Sequence, residues 1–548
     1  MRKSIVKYGL CALMLSMGLM QTWAQEPKAK QENKVTLVYL EHSETLSFDE
    51  ANLPETQVLR GNVRFRHDSA LLYCDSAYFY EKRNSLDAFG RVRIEQGDTL
   101  VGHGDKLFYD GNRKMARFRK NVRLEDGRVT LYTDSLNYDR MNGIAYYYSG
   151  GRVCDSVNTL TSVWGQYVPA TKKASFKNNV RLVNPDFSLV SDTLNYHTQT
   201  NVADIVGPTK MIYKEETTIY STKGWYNTQN DQSTLLNRSQ IEQKDGKTMT
   251  GDSIFYDQKE GWGEMFGRMQ LTDSVQKVTL SGNYGYYNEA TEYGWATDSA
   301  LMVDWSSKDS MYMHADSMFI LKDTLGQIMR AYRHVRIYRT DMQAICDSMV
   351  YTEHDSIIRL FHQPVMWNKE QQVSAKHIEV FIKDSVIDRA HLVDAAFVTR
   401  EVDPIRYDQM SGKEMYAYMK DGEMTHVSVS GNAETVFFPK EEDGTLMGVN
   451  KTQSSYVNVY MKEGQVDKVV LTAASNGTMY PLEQLSKEQT LLKGFFWAEE
   501  ERPNNKMDVF RHPSEKVRTE ESAPTISEQD AKALNKKERN KEEKQKGK

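Results

Sequence analysis

Thr130–Arg140 reads TLYTDSLNYDR, and the chain keeps returning to it. Close copies stand at Tyr73–Tyr80 (YCDSAYFY), His103–Asp110 (HGDKLFYD), Val190–His197 (VSDTLNYH), Thr250–Asp257 (TGDSIFYD) and Ile345–Thr352 (ICDSMVYT). Worn copies stand at Ser162–Val168, Ser221–Asn227, Ser281–Tyr287 and His314–Phe319. The aspartates Asp75, Asp105, Asp134, Asp192, Asp252, Asp316 and Asp347 recur at steps of roughly 30 residues or double steps, a period that marks stacked repeats. A second theme runs between them: GNVRF at Gly61–Phe65, GRVRI at Gly90–Ile94, KNVRL at Lys120–Leu124, NNVRL at Asn178–Leu182 and RHVRI at Arg333–Ile337. Each repeat is therefore two short strands. Leu136 and Tyr138 share one face with Asn137 opposite, and Val122 and Leu124 share one face with Arg123 opposite. That is period-2 alternation. Such strands bury their apolar faces only by stacking, which sets two ladders around an apolar space.

The ends differ from this pattern. Met1–Gln25 has Arg2, Lys3 and Lys7 ahead of an apolar run, Gly9–Met20, and a small-residue site at Thr22-Trp23-Ala24. It reads as a secretory signal over residues 1–24. A polar linker follows over 25–34, and Val35–Leu40 (VTLVYL) is expected to be the first strand. Thr45–Gln57 reads as an irregular crossing into the first clear repeat. Regular repeats cover 35–384. A divergent continuation covers 385–480, and from Lys376 on, Lys376, Lys413 and Ser455 take the place of the motif aspartate. Residues 481–498, with a short helix near Leu482–Leu492 and Phe495-Phe496-Trp497, read as a cap. Residues 499–548 are rich in Lys and Glu and read as a disordered charged tail.

A net charge of −5 over 548 residues gives no argument for nucleic acid. Cys74 and Cys346 hold equivalent repeat positions about nine rungs apart. That is roughly 43 Å, beyond disulfide reach, so both read as small buried hydrophobes. A Cys74–Cys154 bridge stays open as the alternative. No Walker loop, HExxH, GxSxG, CxxC pair or dinucleotide fingerprint is present, so neither a catalytic residue, a metal ligand nor a cofactor is assigned. A column of Asp75, Asp105 and Asp134 would suit a glycosidase only if it were unique. A residue repeated in most rungs is better read as a turn cap at a strand entrance. Arg64, Arg93, Arg123, Arg181 and Arg336 are expected to form an outward, solvated column, with phosphate recognition as the alternative.

The alternation of a Gly-Asn-Val-x-[Leu/Phe] strand with an Asp-x-Leu-x-Tyr-Asp strand resembles the OstA-like family, that of the lipopolysaccharide transport protein LptA and the N-terminal domain of LptD. The match is sharpest at Gly61–Asp75, Gly90–Asp110, Lys120–Asp139, Asn178–Tyr196 and Gly251–Asp257. The resemblance implies an all-β fold, an elongated, folded-over antiparallel β-jellyroll stacked from about 13 two-strand repeats. It also implies a periplasmic, non-enzymatic carrier, associated with outer-membrane assembly, that shields lipopolysaccharide acyl chains in an apolar groove. The groove lining would be Val63, Phe65, Val92, Ile94, Leu107, Tyr109, Val122, Leu124, Leu136, Tyr138, Val180, Leu182, Leu194, Tyr196, Ile254 and Tyr256. Burying a 14-carbon chain there is worth about 10 kcal/mol at most. Implied partners are lipopolysaccharide and related jellyrolls of the transport bridge or outer-membrane translocon, joined by edge-strand pairing, with self-association through the same edges. The charged last fifty residues do not resemble an outer-membrane barrel. A closed scaffold solenoid and a carbohydrate-active solenoid are the competing classes.

Overall fold

The computed structural model describes residues 36–511, apart from residues 50, 98–99, 128, 385, 421–422, 442–443, 463–464 and 483–485. The expected signal segment, the linker, Val35 and the tail beyond residue 511 lie outside the described residues. Among the described residues there are thirty-six strands, and the chain divides into two compact units. One contains residues 36–124 and 137–142; the other contains 125–136 and 143–511.

In the first unit the strands Gln57–His67, Ala70–Tyr80, Ser85–Gln96 and Leu100–Asp110 form an antiparallel meander. Alternation decides what is buried: Leu86, Ala88, Val92 and Ile94 face inward, while Arg91 and Arg93 are exposed. The expected first strand starts later, as Tyr39–His42. Ahead of it the backbone is held by side chains, the Val38 N–H donating to Asn84 Oδ1 at 2.7 Å. The stretch read as an irregular crossing contains a second short strand, Thr45–Phe48. Among the described residues both short strands pair only with Gln57–His67, so they form an edge there, and Leu46 and Phe48 are exposed on it. With one neighbour there is no buried face to produce an alternating signal.

Alternate long strands carry a bulge at their middle. In Gln57–His67 the register shifts between Arg60 and Val63, where Gly61 and Asn62 both have positive φ (81° and 46°). Gly90-Arg91, Lys120-Asn121, Asn178-Asn179, Gly267-Arg268 and Arg333-His334 repeat this pair. The first two letters of the recurring VR theme are thus a bulge corner, which is why Gly and Asn recur there. The motif aspartates correct the turn-cap reading. They sit in mid-strand and hold the second corner residue of the following strand. Asp75 accepts from Arg91 Nη2 at 2.7 Å, Asp105 from Asn121 Nδ2 at 2.7 Å, and Asp252 from Arg268 Nη2 at 2.8 Å. Their side chains serve the fold's corners.

In the second unit some strands split at the corner. Phe187–His197 pairs with Thr209–Tyr213 along its first half and with Val202–Ile205 along its second. The divergent part continues the sheet with longer strands: Val386–Asp403, Arg406–Lys420, Glu423–Phe437 and Val449–Lys462. The final strands Gln465–Thr472 and Asn476–Tyr480 both pair with Val449–Lys462. Two expectations are corrected here. Residues 499–511 are not loose: they contain two short 3-10 turns, and Glu501 and Val509 are buried. Arg336 is not solvated like Arg64, Arg93, Arg123 and Arg181, which are exposed; it is 2% exposed because this segment lies over it. Cys74, Cys154 and Cys346 are free thiols, so no Cys74–Cys154 bridge forms, and Cys74 and Cys346 are buried.

Candidate functional site

All sixteen residues expected to line a groove are buried. In the first unit they pack onto one another. Phe65 meets Phe79 at a ring-centroid distance of 5.3 Å, and the void beside Phe65, Ile94 and Tyr109 is about 10 Å³, room for one water at most. In the second unit Val180, Leu182, Leu194, Tyr196, Ile254 and Tyr256 belong to one continuous apolar core.

One inward row across the second unit explains where that core closes. Following the cross-strand partners, it runs Tyr167, Ala174, Tyr196, Ala203, Tyr226, Ser233, Tyr256, Gly263, Tyr287, Gly294. Tyrosine alternates with a small residue, so each ring has room to lie across its neighbour; a Cβ at Gly294 would stand 3.1 Å from the Tyr287 ring. The hydroxyls are tied at the strand ends. Tyr167 donates to Asp126 at 2.5 Å, Tyr226 to Asp231 at 2.5 Å, Tyr256 to Glu289, and Tyr196 meets Thr228 Oγ1 at 3.2 Å. Tyr287 is hydrogen-bonded with Lys247. Burial pushes the Tyr287 phenol up to about 12 and those of Tyr226 and Tyr256 higher still, so they remain neutral donors. In the first unit Tyr109 is latched alike, by His67 Nδ1 and Arg140, and Tyr138 donates to Gln96 Oε1 at 3.2 Å.

Beyond Gly294 the same row reads Ile320, Met329, Tyr351, Ile358, Val380, Ala390, Ala417, Val427, Val459, Val469. Only one hydroxyl remains, and the interior opens. A cavity of about 260 Å³ is lined by Met302, Met311, Met329, Met342, Met349, Ile320, Ile337 and Val380. Lys247, Asp273, Glu292, Asp304 and Arg339 supply charged groups to the same wall. A second cavity of about 290 Å³ is lined by Met410, Met424, Met461, Val427, Val459 and Val469. An apolar cavity of about 150 Å³ already holds a benzene-sized ligand, and methionine adapts to varied apolar shapes. None of the sixteen expected residues lines either cavity. The signal that could have found these walls is the exchange of motif Tyr for Ile320 and Val380. Among the described residues no group of three or more His, Cys, Asp or Glu is placed to hold a metal ion.

Residues 35–192 match the family model described as OstA-like protein. In its N-terminal part the chain is similar to the OstA-like family. That match covers the edge, the bulged meander and the start of the tyrosine row; both cavities lie outside the OstA-like stretch. Among solved structures, the chain is similar to LptH, the LptA-homologous periplasmic component of the conserved lipopolysaccharide transport device from Pseudomonas aeruginosa. The identity is 14% over 21% of this chain and 81% of that one, with a TM-score of 0.19. The search of curated proteins found no match.

Proposed function

We propose that this protein is a periplasmic lipopolysaccharide-transport component whose apolar interior shields acyl chains during outer-membrane assembly. The observation that carries the reading is the pair of methionine-rich cavities inside a bulged antiparallel stack that begins as an OstA-like segment. Acyl chains enter the cavity-bearing strands, and the charged groups beside them keep headgroups at the wall. Edge strands supply the partners. Tyr39–His42 and Thr45–Phe48 at one edge, and Gln465–Thr472 and Asn476–Tyr480 at the other, each pair on one side only, with Tyr39, Phe48, Val469 and Met479 exposed. Unpaired edges of this kind accept a strand from a related jellyroll or a second copy. The packed interior around Phe65 and Tyr109 favours a scaffold role for that part of the chain.

The test is a photo-crosslinking side chain in cells. At Met329 it is expected to capture lipopolysaccharide; at Arg330, one residue along the same strand and on the opposite face, it is not. Adducts at neither site would leave a ligand-free scaffold, and adducts at Arg330 alone would move any lipid to the outer surface.

A further inference from the structure

Three glutamines on the outer face of the second unit bind an extended stretch of the chain's own C-terminal part. Gln409 Nε2 donates to the Thr490 carbonyl at 2.8 Å while the Leu492 N–H donates to Gln409 Oε1 at 2.9 Å. Gln372 Nε2 donates to the Phe496 carbonyl at 3.0 Å while the Ala498 N–H donates to Gln372 Oε1 at 2.8 Å. Gln343 Oε1 accepts from Arg502 Nε at 2.8 Å. The contacts step by six residues along the strap, from Thr490 to Phe496 to Arg502. On the sheet each glutamine stands four residues before the motif position, held by Asp347, Lys376 and Lys413. In other repeats that place is taken by Leu71, Val101, Thr130, Ser188 or Thr248. The column is therefore confined to the strands under the strap.

The strap ends on Arg336, whose Nη2 donates to the Glu501 carbonyl at 2.6 Å and whose Nε donates to the Asp508 carbonyl at 3.3 Å. Phe510 packs on His314 at 4.7 Å. No described residue of 490–511 belongs to a strand, so the strap is held by side chains and its departure unpairs no sheet backbone. Its departure would uncover the glutamine column and Arg336, which are at home in water as the exposed Arg64, Arg93, Arg123 and Arg181 are, together with a small apolar seat where Leu492 and Phe495 pack on Phe397, Phe438 and Val449. The covered positions also back onto the cavities. Arg336 and Gln343 adjoin Ile337 and Met342, which line the first, and Gln409 itself and Met410 line the second.

We propose that residues 490–511 form a releasable strap whose docking on Gln343, Gln372, Gln409 and Arg336 limits how far the cavity-bearing strands open. The proposal rests on reading the cavities as cargo sites. Released, the strap lets those strands spread and exchange apolar cargo; docked, it holds the cavities at their present width.

The experiment uses the full chain with Gln343→Ala, Gln372→Ala and Gln409→Ala combined, and separately Glu501→Gln, which removes the carboxylate charge that faces Arg336 Nη1 at 3.5 Å and leaves the sheet untouched. Trypsin cleavage after Lys493 and Lys506, amide exchange in Met342–Thr352 and Arg406–Lys420, and the dissociation rate of 1-N-phenylnaphthylamine are followed. In both variants each rate is expected to rise roughly tenfold, the effect of losing a few such hydrogen bonds. A strap in the unaltered chain whose amides exchange as slowly as the core strands would show that it does not release. Faster cleavage with unchanged strand exchange and probe kinetics would make it a passive cover. A shift in oligomeric state on mutation would show that it docks between copies. Any of the three overturns the proposal. An unaltered chain that binds no probe defeats the cargo reading instead, while cleavage and exchange still report on the strap.

Discussion

The row from Tyr167 to Gly294 and the row from Ile320 to Val469 occupy the same place in the second unit, and they do opposite things. In the first, each tyrosine reaches across the interior and ends on an acid, a hydroxyl or an ammonium, as Tyr226 does on Asp231 and Tyr287 on Lys247. In the second, Ile, Met and Val fill less and bond to nothing, and cavities of about 260 and 290 Å³ remain. The backbone, bulges and pairing are common to both. Closure is therefore a property of one side-chain column, and an apolar interior becomes a container only where that column loses its polar ends. A buried phenol demands a partner, and the partner fixes the ring.

The largest expected effect comes from emptying the closed row. Tyr226 is fully buried, and Tyr226→Ala should cost about 3–5 kcal/mol, as large aromatic truncations do. Met349→Ala, on a wall that already faces a void, should fall at or below about 2 kcal/mol, the lower end for methionine. Urea midpoints measure both, and equal losses would erase the distinction between the two regions.

High pH acts on the same difference. The buried phenols of Tyr147 and Tyr287 are pushed up to about 12 by desolvation, against about 10 in an unfolded chain. The folded state prefers the neutral phenol. That contribution is complete below pH 10 and disappears as pH rises through 12, at roughly 3 kcal/mol per tyrosine. Amide exchange between pH 9 and 12 should accelerate first in Lys173–Val183 and Phe187–His197, and later in Val386–Asp403, whose part of the row carries no phenol. Simultaneous loosening would count against a tyrosine latch.

A gain of closure is the converse test. Ile320 pairs with Gly294, the small residue a tyrosine needs beside it. Ile320→Tyr with Val380→Tyr should extend the closed row into the first cavity and weaken binding of 1-N-phenylnaphthylamine about tenfold. Stability should change by less than about 1 kcal/mol, since the added rings enter existing space. A fluorescence titration reads the affinity. Unchanged binding would place the probe elsewhere.

The period, the strand faces and the antiparallel class were legible because alternation at Leu136, Asn137 and Tyr138 or Val122, Arg123 and Leu124 needs only local sequence. Even there Asn137 proves covered, its Oδ1 accepting from Arg119 at 3.1 Å. The cavities were not legible. Their volume depends on which residues face each other across strands, and that register follows from bulges whose two positive-φ residues look like an ordinary turn. Arg336 marks the same limit: its RHVRI differs little from KNVRL, yet a partner 165 residues away buries it. The glutamine column at Gln343, Gln372 and Gln409 was readable as a repeat position, but nothing local says what it binds.

The smallest effect belongs to the corners, which both regions share. Asp75 and Arg91 lie 2.7 Å apart with the arginine 84% exposed, so water screens the pair and it should contribute little to stability. In the divergent strands the signs are exchanged: Lys376 holds the motif place and Asp394 the corner, 3.8 Å apart. Lys376 therefore interrupts the aspartate pattern without interrupting the fold, because a charged pair at the corner works in either order. A double-mutant cycle decides this. Asp75→Lys and Arg91→Asp should each lower the urea midpoint slightly through like-charge contact, and together they should recover most of the loss. If the double variant is no better than the worse single one, the aspartate does more at its corner than supply charge, and the exchanged pair at Lys376 and Asp394 would mark a different kind of bend.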